Sequence, residues 1–450
     1  MIEDVDVAGR LERALGGTVT SLRRLSGGAS RLTSIVDMDG LDGSHRALIL
    51  QQQRGDGLGT HKSVELEAAL LRAAIRADIP VPKVVAAGQG DGLDAGWLVV
   101  ERLEGETIAR RLLRDPDYAE ARERLTGDVA RALAQIHGLS PRDIPGLPGV
   151  DPFVSALELL DSTGEVRPIL ELGARWLAAN QPPSSGRTVV HGDFRMGNFL
   201  VDTTGLRGVL DWELAHAGDP AEDLGWLTAK AWRFGGSAEV GGFGQLDDLL
   251  ACYVESGGRV IDHETVRWWQ VYASVKWAVI CALQASAHLS GATRSVELAT
   301  IGRRVCESEW DLLGLIGVER PEERERPDDT QAASTPFGRP NARELVEAVA
   351  EYLEDKVMAP TEAAARFEAR VARNALGIVV RELTFGPGMD KAHRARLAEL
   401  GFADDDALAA AIRAGVLDAR LAEVGTVLAR SAADQLQVAN PAYLQSSPDS

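Results

Sequence analysis

Short runs of apolar and β-branched residues, separated by turn-forming clusters, occupy the first hundred positions. They predict strands at Gly17–Thr20, Leu32–Val36, Ala47–Leu50 and Trp97–Val100. Between the third and fourth runs, Glu65–Ala77 lacks Pro and Gly and is rich in Ala, Leu and Arg, which predicts a helix ending before Ile79-Pro80. The front of the chain is therefore predicted to form a small sheet with one helix.

From about residue 115 the apolar spacing becomes helical. One predicted helix face carries Leu125, Val129, Leu133 and Ile136. Two strand-like runs interrupt the helices, Thr188–Val190 and Gly208–Leu210, and polar residues follow each of them directly. Further helices, rich in Trp, continue to about residue 315. We expect their tryptophans to be core residues, with the lining of a substrate pocket as the alternative: Trp226, Trp232, Trp268, Trp269 and Trp277.

The segment 319–340 is charged, contains several prolines and has almost no apolar residues, so we interpret it as a linker. After it, Asn341 and Glu344 have the spacing of a helix capping box. Leu345, Val349, Leu353 and Val357 then form one apolar helix face. This pattern predicts a separate all-helical domain at the end of the chain.

Composition excludes several classes of protein. The 450 residues are 45% hydrophobic and 26% charged, which is typical of globular domains, and the net charge is -19. This acidic balance argues against a nucleic-acid partner and an anionic membrane surface. The three cysteines show no C-x-x-C spacing, and no run of about 18 apolar residues is present. We therefore expect a protein of a reducing compartment, the cytoplasm.

Candidate chemistry lies in the polar residues after the two strand-like runs. Asp193 and Asn198 have the D-x-x-x-x-N spacing of a kinase catalytic loop, in which the Asp receives the proton of an acceptor hydroxyl and the Asn binds metal. Asp211, after the second run, supplies a carboxylate for Mg²⁺. His137, His216 and His288 have no carboxylate at a suggestive spacing, so we interpret them as packing or capping residues.

These residues stand within a longer ordered set of motifs. The set comprises Leu25-Ser26-Gly27-Gly28-Ala29-Ser30, Pro80-Val81-Pro82, Glu101-Arg102-Leu103-Glu104-Gly105, His191-Gly192-Asp193, Leu210-Asp211-Trp212-Glu213 and Gly218-Asp219-Pro220. Over residues 15–315 it resembles the aminoglycoside phosphotransferase and choline kinase superfamily, and most of all the kinase domains related to those fused to acyl-CoA dehydrogenases. The C-terminal region resembles an uncharacterised helical domain found with such kinases.

The resemblance implies an α+β, two-lobed protein-kinase-like fold followed by the all-α domain. The implied parts are an N-lobe at 1–105, a helical C-lobe at 106–317, the linker at 318–340 and the helical domain at 341–450. It also implies phosphoryl transfer from ATP, with GTP as the alternative nucleotide, to a hydroxyl of a small molecule such as a hydroxyacyl-CoA. A protein partner or self-association through the C-terminal domain is a further expectation.

The resemblance assigns roles to individual residues. Asp193 is the expected catalytic base, and Asn198 and Asp211 are the expected Mg²⁺ ligands. The nucleotide is expected to contact the glycine-rich loop, the third strand, the first long helix and the lobe hinge, through Ser26, Gly27, Gly28, Ala29, Ser30, Gln51, Glu67 and Glu101. His191 is expected to brace the metal-binding segment through backbone hydrogen bonds.

One position departs from the family pattern. Gln51 stands on the third strand where a Lys or Arg is expected to pair with Glu67 and the phosphates. Because positive charge at the phosphates is the main catalytic resource of phosphoryl transfer, this change raises two alternatives. Either Arg31, Arg46 or Arg54 supplies the charge, or phosphoryl transfer is slow. A second hypothesis is therefore a nucleotide-binding pseudokinase or assembly module. A metal-dependent hydrolase is a third, weaker interpretation.

Overall fold

The structure is a computed structural model that describes residues 4–25, 31–53, 63–89, 96–149, 158, 160–162, 164–321, 342–358 and 363–445. The chain forms two compact units. Unit 1 comprises Met1–Asp151 and Pro183–Val266, and unit 2 comprises Pro152–Pro182 and Arg267–Ser450.

Unit 1 contains nine strands and six helices that lie wholly within its described residues. The strands are β1 (Thr18–Arg24), β2 (Arg31–Asp39), β3 (His45–Gln53), β4 (Val84–Gly88), β5 (Trp97–Glu101), β6 (Thr188–Val190), β7 (Phe199–Asp202), β8 (Gly205–Val209) and β9 (His216–Gly218). The helices of this part are α1 (Asp4–Leu15), α2 (Val64–Arg76), α3 (Ala109–Arg114), α4 (Ala119–His137), α6 (Ala221–Thr228) and α7 (Leu246–Glu255). Short 3₁₀ turns lie at Pro116–Tyr118, Pro141–Asp143 and Lys230–Trp232.

The first five strands form one antiparallel sheet in the order β1-β2-β3-β5-β4. Alternate residues of β2 and β3 face opposite sides because the side-chain period of a strand is two. Val36, Met38, Leu48 and Leu50 are buried on one side, where Leu11 of α1 completes the cluster. Arg31 and Gln51 belong to the other side, which leaves them free of this apolar core.

Helix α2 begins at a clear capping residue. Ser63 has an extended backbone, and its hydroxyl accepts a hydrogen bond from the Leu66 amide at 3.3 Å. The cap fixes the first turn of the helix, which contains Glu67, and Glu67 is 4% exposed. A buried carboxylate needs a charged or hydrogen-bonding partner, so its surroundings are of direct functional interest.

Two short strand pairs carry the polar loops. Strand β6 pairs with β9 and strand β7 pairs with β8, both antiparallel. Residues 191–198 connect β6 to β7, and residues 210–215 connect β8 to β9. A backbone hydrogen bond of 2.8 Å from the Leu210 amide to the Asn198 carbonyl joins the two loops. The two predicted polar segments therefore lie side by side.

Unit 2 is helical throughout its described residues. Its helices are α5 (Pro168–Ala179), α8 (His263–Leu289, whose first turn lies in unit 1), α9 (Val296–Ile301), α10 (Val305–Leu315), α11 (Ala342–Tyr352), α12 (Ala363–Leu400), α13 (Asp405–Arg413), α14 (Leu421–Ala439) and α15 (Pro441–Gln445). A 3₁₀ turn follows α9 at Gly302–Arg304, another lies at Asp418–Arg420, and a π-helical turn follows α11 at Leu353–Met358. Trp268, Trp269 and Trp277 of α8 are buried, as expected of core residues.

The C-terminal helices pack on helices from the middle of the chain. Leu408 and Ile412 of α13 are fully buried, and Arg413 forms an ion pair with Glu171 of α5. Helix α14 packs against α10. The C-terminal region is all-helical as predicted, while its exact boundaries at 318–340 and 341–450 stay a prediction; Asn341 and most of the proposed linker lie outside the described residues.

The sequence pattern predicted most of the strands and the two helices at 64–76 and 119–137. It missed α1, β4, β7 and β9. The three missed strands have five residues or fewer, too short to show a periodicity of their own. Helix α1 lies in the acidic N-terminal segment, and Val7 and Leu11 lie on its buried side.

Candidate active site

The predicted catalytic base is held in a single orientation. Asp193 is 8% exposed, and Asn198 donates from Nδ2 to its Oδ2 at 2.6 Å and to its backbone carbonyl at 3.0 Å. These bonds use the amide nitrogen of Asn198, so its side-chain oxygen remains available as a ligand. The D-x-x-x-x-N spacing thus closes a small loop with Asp193 and Asn198 at its two ends.

A second set of donors reaches the other carboxylate oxygen of Asp193. Trp226 of α6 donates from its indole nitrogen at 2.8 Å, and Arg195 donates from Nε at 2.9 Å. The Arg195 guanidinium lies 4.4 Å from the ring centre of Trp232, and Trp232 packs on Trp226. Two of the tryptophans expected to be plain core residues therefore also support the catalytic loop.

Asp211 lies directly opposite in the β8–β9 loop. Its φ of 63° is unusual for a residue with a side chain, and such strain is concentrated at functional sites. Burial, together with the charges of Glu213, Asp193 and Glu67, raises the pKa of Asp211 to about 8, while Arg31 opposes the rise. A carboxylate whose ionisation is opposed by neighbouring negative charges is a favourable ligand for a divalent cation.

His191 joins the two loops as the resemblance implied. Its Nδ1 accepts from the Asp193 amide at 3.2 Å, and its Nε2 donates to the Leu210 carbonyl at 3.1 Å. The next residue, Gly192, has φ of +79°, and a Cβ there would lie 2.5 Å from the Leu214 carbonyl oxygen. Only glycine fits at this position without a shift of the backbone.

Asp223 holds the segment that contains His191 and Gly192 through hydrogen bonds to its backbone. It is fully buried and accepts hydrogen bonds from the amides of His191 and Gly192 at 2.8 and 2.9 Å and from Nε2 of His137 at 3.1 Å. Burial opposes its ionisation, yet the hydrogen bond and charge of His137 hold its pKa below the usual value. Tyr253 in turn contacts Nδ1 of His137 at 2.8 Å.

Two of the three histidines have carboxylate partners in the structure, although sequence spacing did not indicate them. His137 pairs with Asp223, and His216 pairs with Glu222 at 2.9 Å. Asp223 is 86 positions from His137, so tertiary structure alone brings that pair together. All four side chains are buried, and they brace the loops, in agreement with their interpretation as structural residues.

The cation opposite Glu67 is Arg31, from strand β2. Its Nη1 forms an ion pair with Glu67 and lies 3.2 Å from Oε1 of Gln51, while its Nε lies 3.7 Å from Glu213. Burial raises the pKa of Glu67, and Arg31 acts in the opposite direction. Gln51 thus occupies the family's cation position as an acceptor for the cation of the neighbouring strand.

The remaining predicted residues are placed less centrally or lie outside the described part. Glu101 ends β5, is half-exposed and has Lys83 at 3.9 Å as its ion-pair partner. Arg46 lies on β3 with the opposite parity to Gln51 and so belongs to the other side of the sheet. Ser26, Gly27, Gly28, Ala29, Ser30 and Arg54 lie outside the described residues.

Asn198 and Asp211 fit the chemistry of a magnesium site. Mg²⁺ prefers oxygen ligands and, beside nucleotide phosphates, takes few from the protein. The free amide oxygen of Asn198 and the crowded carboxylate of Asp211 are such donors. Within the described ranges, no group of three His, Cys, Asp or Glu side chains is arranged to hold a metal.

Sequence reasoning missed three residues of the site: Trp226, Arg195 and Asp223. Arg195 stands inside the motif itself, two positions after the base, and that position was the available signal. In the sequence, Trp226 could be recognised only as part of a Trp-containing helix. Asp223 could be recognised only as part of the motif from Gly218 to Leu224. Their contacts with Asp193 and the catalytic loop arise from the packing of α6.

A five-stranded antiparallel sheet with a paired helix glutamate, followed by a helical region with Asp-Asn and Asp loops, defines a phosphotransferase of the kinase-like fold. The chain belongs to the phosphotransferase enzyme family, which matches residues 21–253. The C-terminal residues 359–443 match a domain of unknown function, DUF6285. Both matches confirm the resemblances drawn from the motifs.

Curated relatives agree with this membership. Acyl-CoA dehydrogenase family member 11 of Gallus gallus is 28% identical over 225 residues, which cover 46% of this chain and 28% of the relative. Viomycin phosphotransferase of Streptomyces vinaceus is 28% identical over 203 residues, covering 42% of this chain and 68% of that protein. The chain thus spans little more than a quarter of the chicken protein's length.

Solved structures agree on the fold. The crystal structure of a candidate aminoglycoside phosphotransferase from Ralstonia eutropha aligns with a TM-score of 0.56 and 18% identity, covering 70% of this chain and 98% of the other. This likeness confirms the predicted kinase-like α+β fold. Across the described residues, no helix has the length and apolar character required to cross a bilayer.

Proposed function

We propose that this protein transfers the γ-phosphoryl group of ATP to a hydroxyl of a small molecule, with Asp193 as the base. The observation that supports this most is the convergence of Asp193, Asn198 and Asp211, which the paired loops bring together at one place. Phosphoryl transfer requires this set: a carboxylate for the acceptor and oxygen ligands for metal beside the phosphates.

Asp193 would receive the proton of the acceptor hydroxyl. At the same time the hydroxyl oxygen would bond to the γ-phosphorus, and the bond between the γ-phosphorus and the leaving oxygen of ADP would break. Three side chains hold the carboxylate, so its orientation is set before the acceptor arrives. Such pre-organisation contributes to catalysis by fixing the near-attack geometry. Arg195, beside the base, is placed to neutralise charge that develops on the transferred group.

Asn198 and Asp211 would hold the metal. Mg²⁺ bound there would neutralise charge on the β- and γ-phosphates. The protein's own contribution is the depth of the site: Asp193 and Asn198 are less than a tenth exposed. Water is thereby limited around the reacting oxygen, which strengthens the electrostatic interactions there.

A hydroxyacyl-CoA-like acceptor is our first choice of substrate. Its support is the name of the relatives: members 10 and 11 of the acyl-CoA dehydrogenase family, from chicken, mouse, rat and human, each match between 40% and 46% of this chain. Viomycin phosphotransferase matches to a similar extent and makes a hydroxylated antibiotic the second choice.

The test is a turnover assay with the full-length chain. MgATP is supplied with 3-hydroxybutyryl-CoA, viomycin, hygromycin B or choline, and the products are analysed for ADP and for an acceptor heavier by one phosphoryl group. We expect one acceptor class to be phosphorylated by the wild type and not by Asp193→Asn. Tight MgATP binding without phosphorylation of any acceptor would instead favour the pseudokinase.

Gln51 is the feature that favours the pseudokinase, because a neutral amide brings no charge to the phosphates. Arg31 weakens that alternative, since it supplies a cation within hydrogen-bond distance of Gln51. A protein partner or self-association through the C-terminal helices is a separate proposal. Light scattering of the full chain across a range of concentrations tests it, and a constant monomer mass would argue against self-association.

A further inference from the structure

We propose that Arg31 binds the nucleotide phosphates, so that the phosphate-binding cation of this protein comes from strand β2 and not from position 51 of strand β3. This inference rests on the proposed nucleotide-dependent function. It concerns one residue of the chain, and it explains how a site with Gln51 in the family's cation position retains a positive charge.

Strand register makes the exchange between positions 31 and 51 possible. In the antiparallel pair β2–β3, Arg31 lies opposite Gln53, and Gln51 lies opposite Thr33. Arg31 and Gln51 are therefore diagonal neighbours on the same side of the sheet, a relation that long side chains can span. The observed 3.2 Å contact between Nη1 of Arg31 and Oε1 of Gln51 shows that they do so here.

The Arg31 guanidinium has donors left over. It is buried, with 7% of its side chain exposed, and its Nε and Nη2 atoms make no hydrogen bond to any of the described residues. An Arg side chain carries five N–H donors, and leaving them buried and unbonded is costly. Phosphate oxygens would satisfy them, since Arg and phosphate commonly form two parallel hydrogen bonds.

The position of Arg31 in the chain is also compatible with a phosphate ligand. Its guanidinium forms an ion pair with Glu67, and its Nε lies 3.7 Å from a carboxylate oxygen of Glu213. Arg31 also sits directly after the predicted glycine-rich loop, at the first residue of β2.

A purely structural role for Arg31 is the competing explanation. In that case its function is to neutralise buried Glu67, and removing it costs stability because an uncompensated carboxylate remains. The two explanations differ in what a second substitution repairs. Replacing both Arg31 and Glu67 by glutamine removes the unpaired buried charge and should restore stability. Placing a lysine at position 51 returns a positive charge to the phosphate site and should restore nucleotide binding.

The experiment compares four full-length variants with the wild type: Arg31→Gln, Arg31→Lys, Arg31→Gln/Glu67→Gln and Arg31→Gln/Gln51→Lys. For each, the thermal midpoint is measured, and calorimetry gives the affinity for MgATP and for adenosine, which lacks phosphates. Turnover is measured as ADP release in the presence of the acceptor identified above, or as MgATP hydrolysis if none is found.

We expect Arg31→Gln to lower turnover about 100-fold and to weaken MgATP binding while adenosine affinity stays the same. Arg31→Lys should retain more activity than Arg31→Gln. Arg31→Gln/Glu67→Gln should recover the thermal midpoint but not MgATP affinity. Arg31→Gln/Gln51→Lys should recover at least about tenfold in turnover by returning a cation to β3.

Three results would overturn the inference. The first is an Arg31→Gln variant that binds MgATP as tightly as the wild type. The second is recovery of both the thermal midpoint and MgATP affinity in Arg31→Gln/Glu67→Gln. The third is an Arg31→Gln/Gln51→Lys variant with no more turnover than Arg31→Gln. Absence of turnover in the wild type would count against the proposed function alone. The comparison of MgATP with adenosine would still decide the role of Arg31 in that case.

Discussion

The two sides of the active site are built in different ways. On the loop side, Asp193, Asn198 and Asp211 lie within 18 positions of one another. Asn198 donates a hydrogen bond to Asp193 and accepts one from the Leu210 amide, which precedes Asp211. On the sheet side, Arg31, Gln51 and Glu67 come from two strands and a helix. On the loop side, the short connections fix which residues can occupy the site. On the sheet side, either of two neighbouring strands can supply the cation.

The largest effect should follow from replacing Asp193, the proposed catalytic base on the loop side. Asp193→Asn keeps the size of the side chain but cannot accept the hydroxyl proton, so we expect turnover to fall about 1,000-fold with MgATP affinity nearly unchanged. ADP release and calorimetry measure the two quantities. Asp247→Asn, at an exposed carboxylate of α7, is the matched control and should behave as the wild type.

The next effect concerns what holds the loop side rigid. Asp223→Asn removes a buried charge that three donors share, so we expect the free energy of unfolding to fall by about 3 kcal/mol. Urea denaturation measures it, with exposed Asp248→Asn as the control. A loss below about 1 kcal/mol would mean that the packing of the loop, and not Asp223, maintains its conformation.

This contrast explains how much could be predicted. The roles of Asp193 and Asn198 could be predicted because both residues lie in one loop, at a spacing that the backbone geometry of the loop sets. Asp223 and Trp226 reach the same loop from helix α6, and no local pattern encodes that approach. The fold class followed from ordered motifs and apolar periodicity, while strands of three to five residues left no periodic signal.

Arg31 shows the same limit on the sheet side. It was one of three arginines considered. Strand register and its ion pair with Glu67 distinguish it from Arg46, while Arg54 lies outside the described residues. Arg46 was excluded by strand parity. The role of Glu67 as an ion-pair partner was predictable from its helix, but the identity of its partner required the three-dimensional contact.

A smaller loss should follow when one support of the base is removed. Trp226→Phe deletes a hydrogen bond to the Asp193 carboxylate but keeps most of the ring, so we expect turnover to fall about tenfold with little change in the KM for MgATP. Trp268→Phe is the control, since its buried indole donates to the Leu177 carbonyl. Equal turnover in both variants would assign Trp226 a packing role only.

The smallest effect is a pH dependence of stability. The pKa of Asp211 is raised from 3.8 to about 8 in the folded chain, so folding favours its protonated form, and stability is lost as pH rises through that interval. In EDTA, Asp211→Asn should therefore melt higher than the wild type at pH 8, by roughly 3 °C, with the difference vanishing near pH 4. Circular dichroism melts at both pH values measure it.

MgADP provides the control for that prediction. It should stabilise the wild type and not Asp211→Asn, because the variant lacks the carboxylate that we propose as a metal ligand. A wild type that melts higher than the variant at pH 8 without metal would show that the carboxylate is well solvated or otherwise paired. The crowding inferred for the loop side would then be wrong.

The most direct measurement is a crystal structure of the full-length chain with Mg²⁺ and the non-hydrolysable analogue AMP-PNP. The account predicts that Asn198 and Asp211 bind the metal and that the Arg31 guanidinium lies within about 3 Å of a phosphate oxygen. It would be contradicted by a nucleotide whose phosphates are bound by another cation, with Arg31 paired to Glu67 alone.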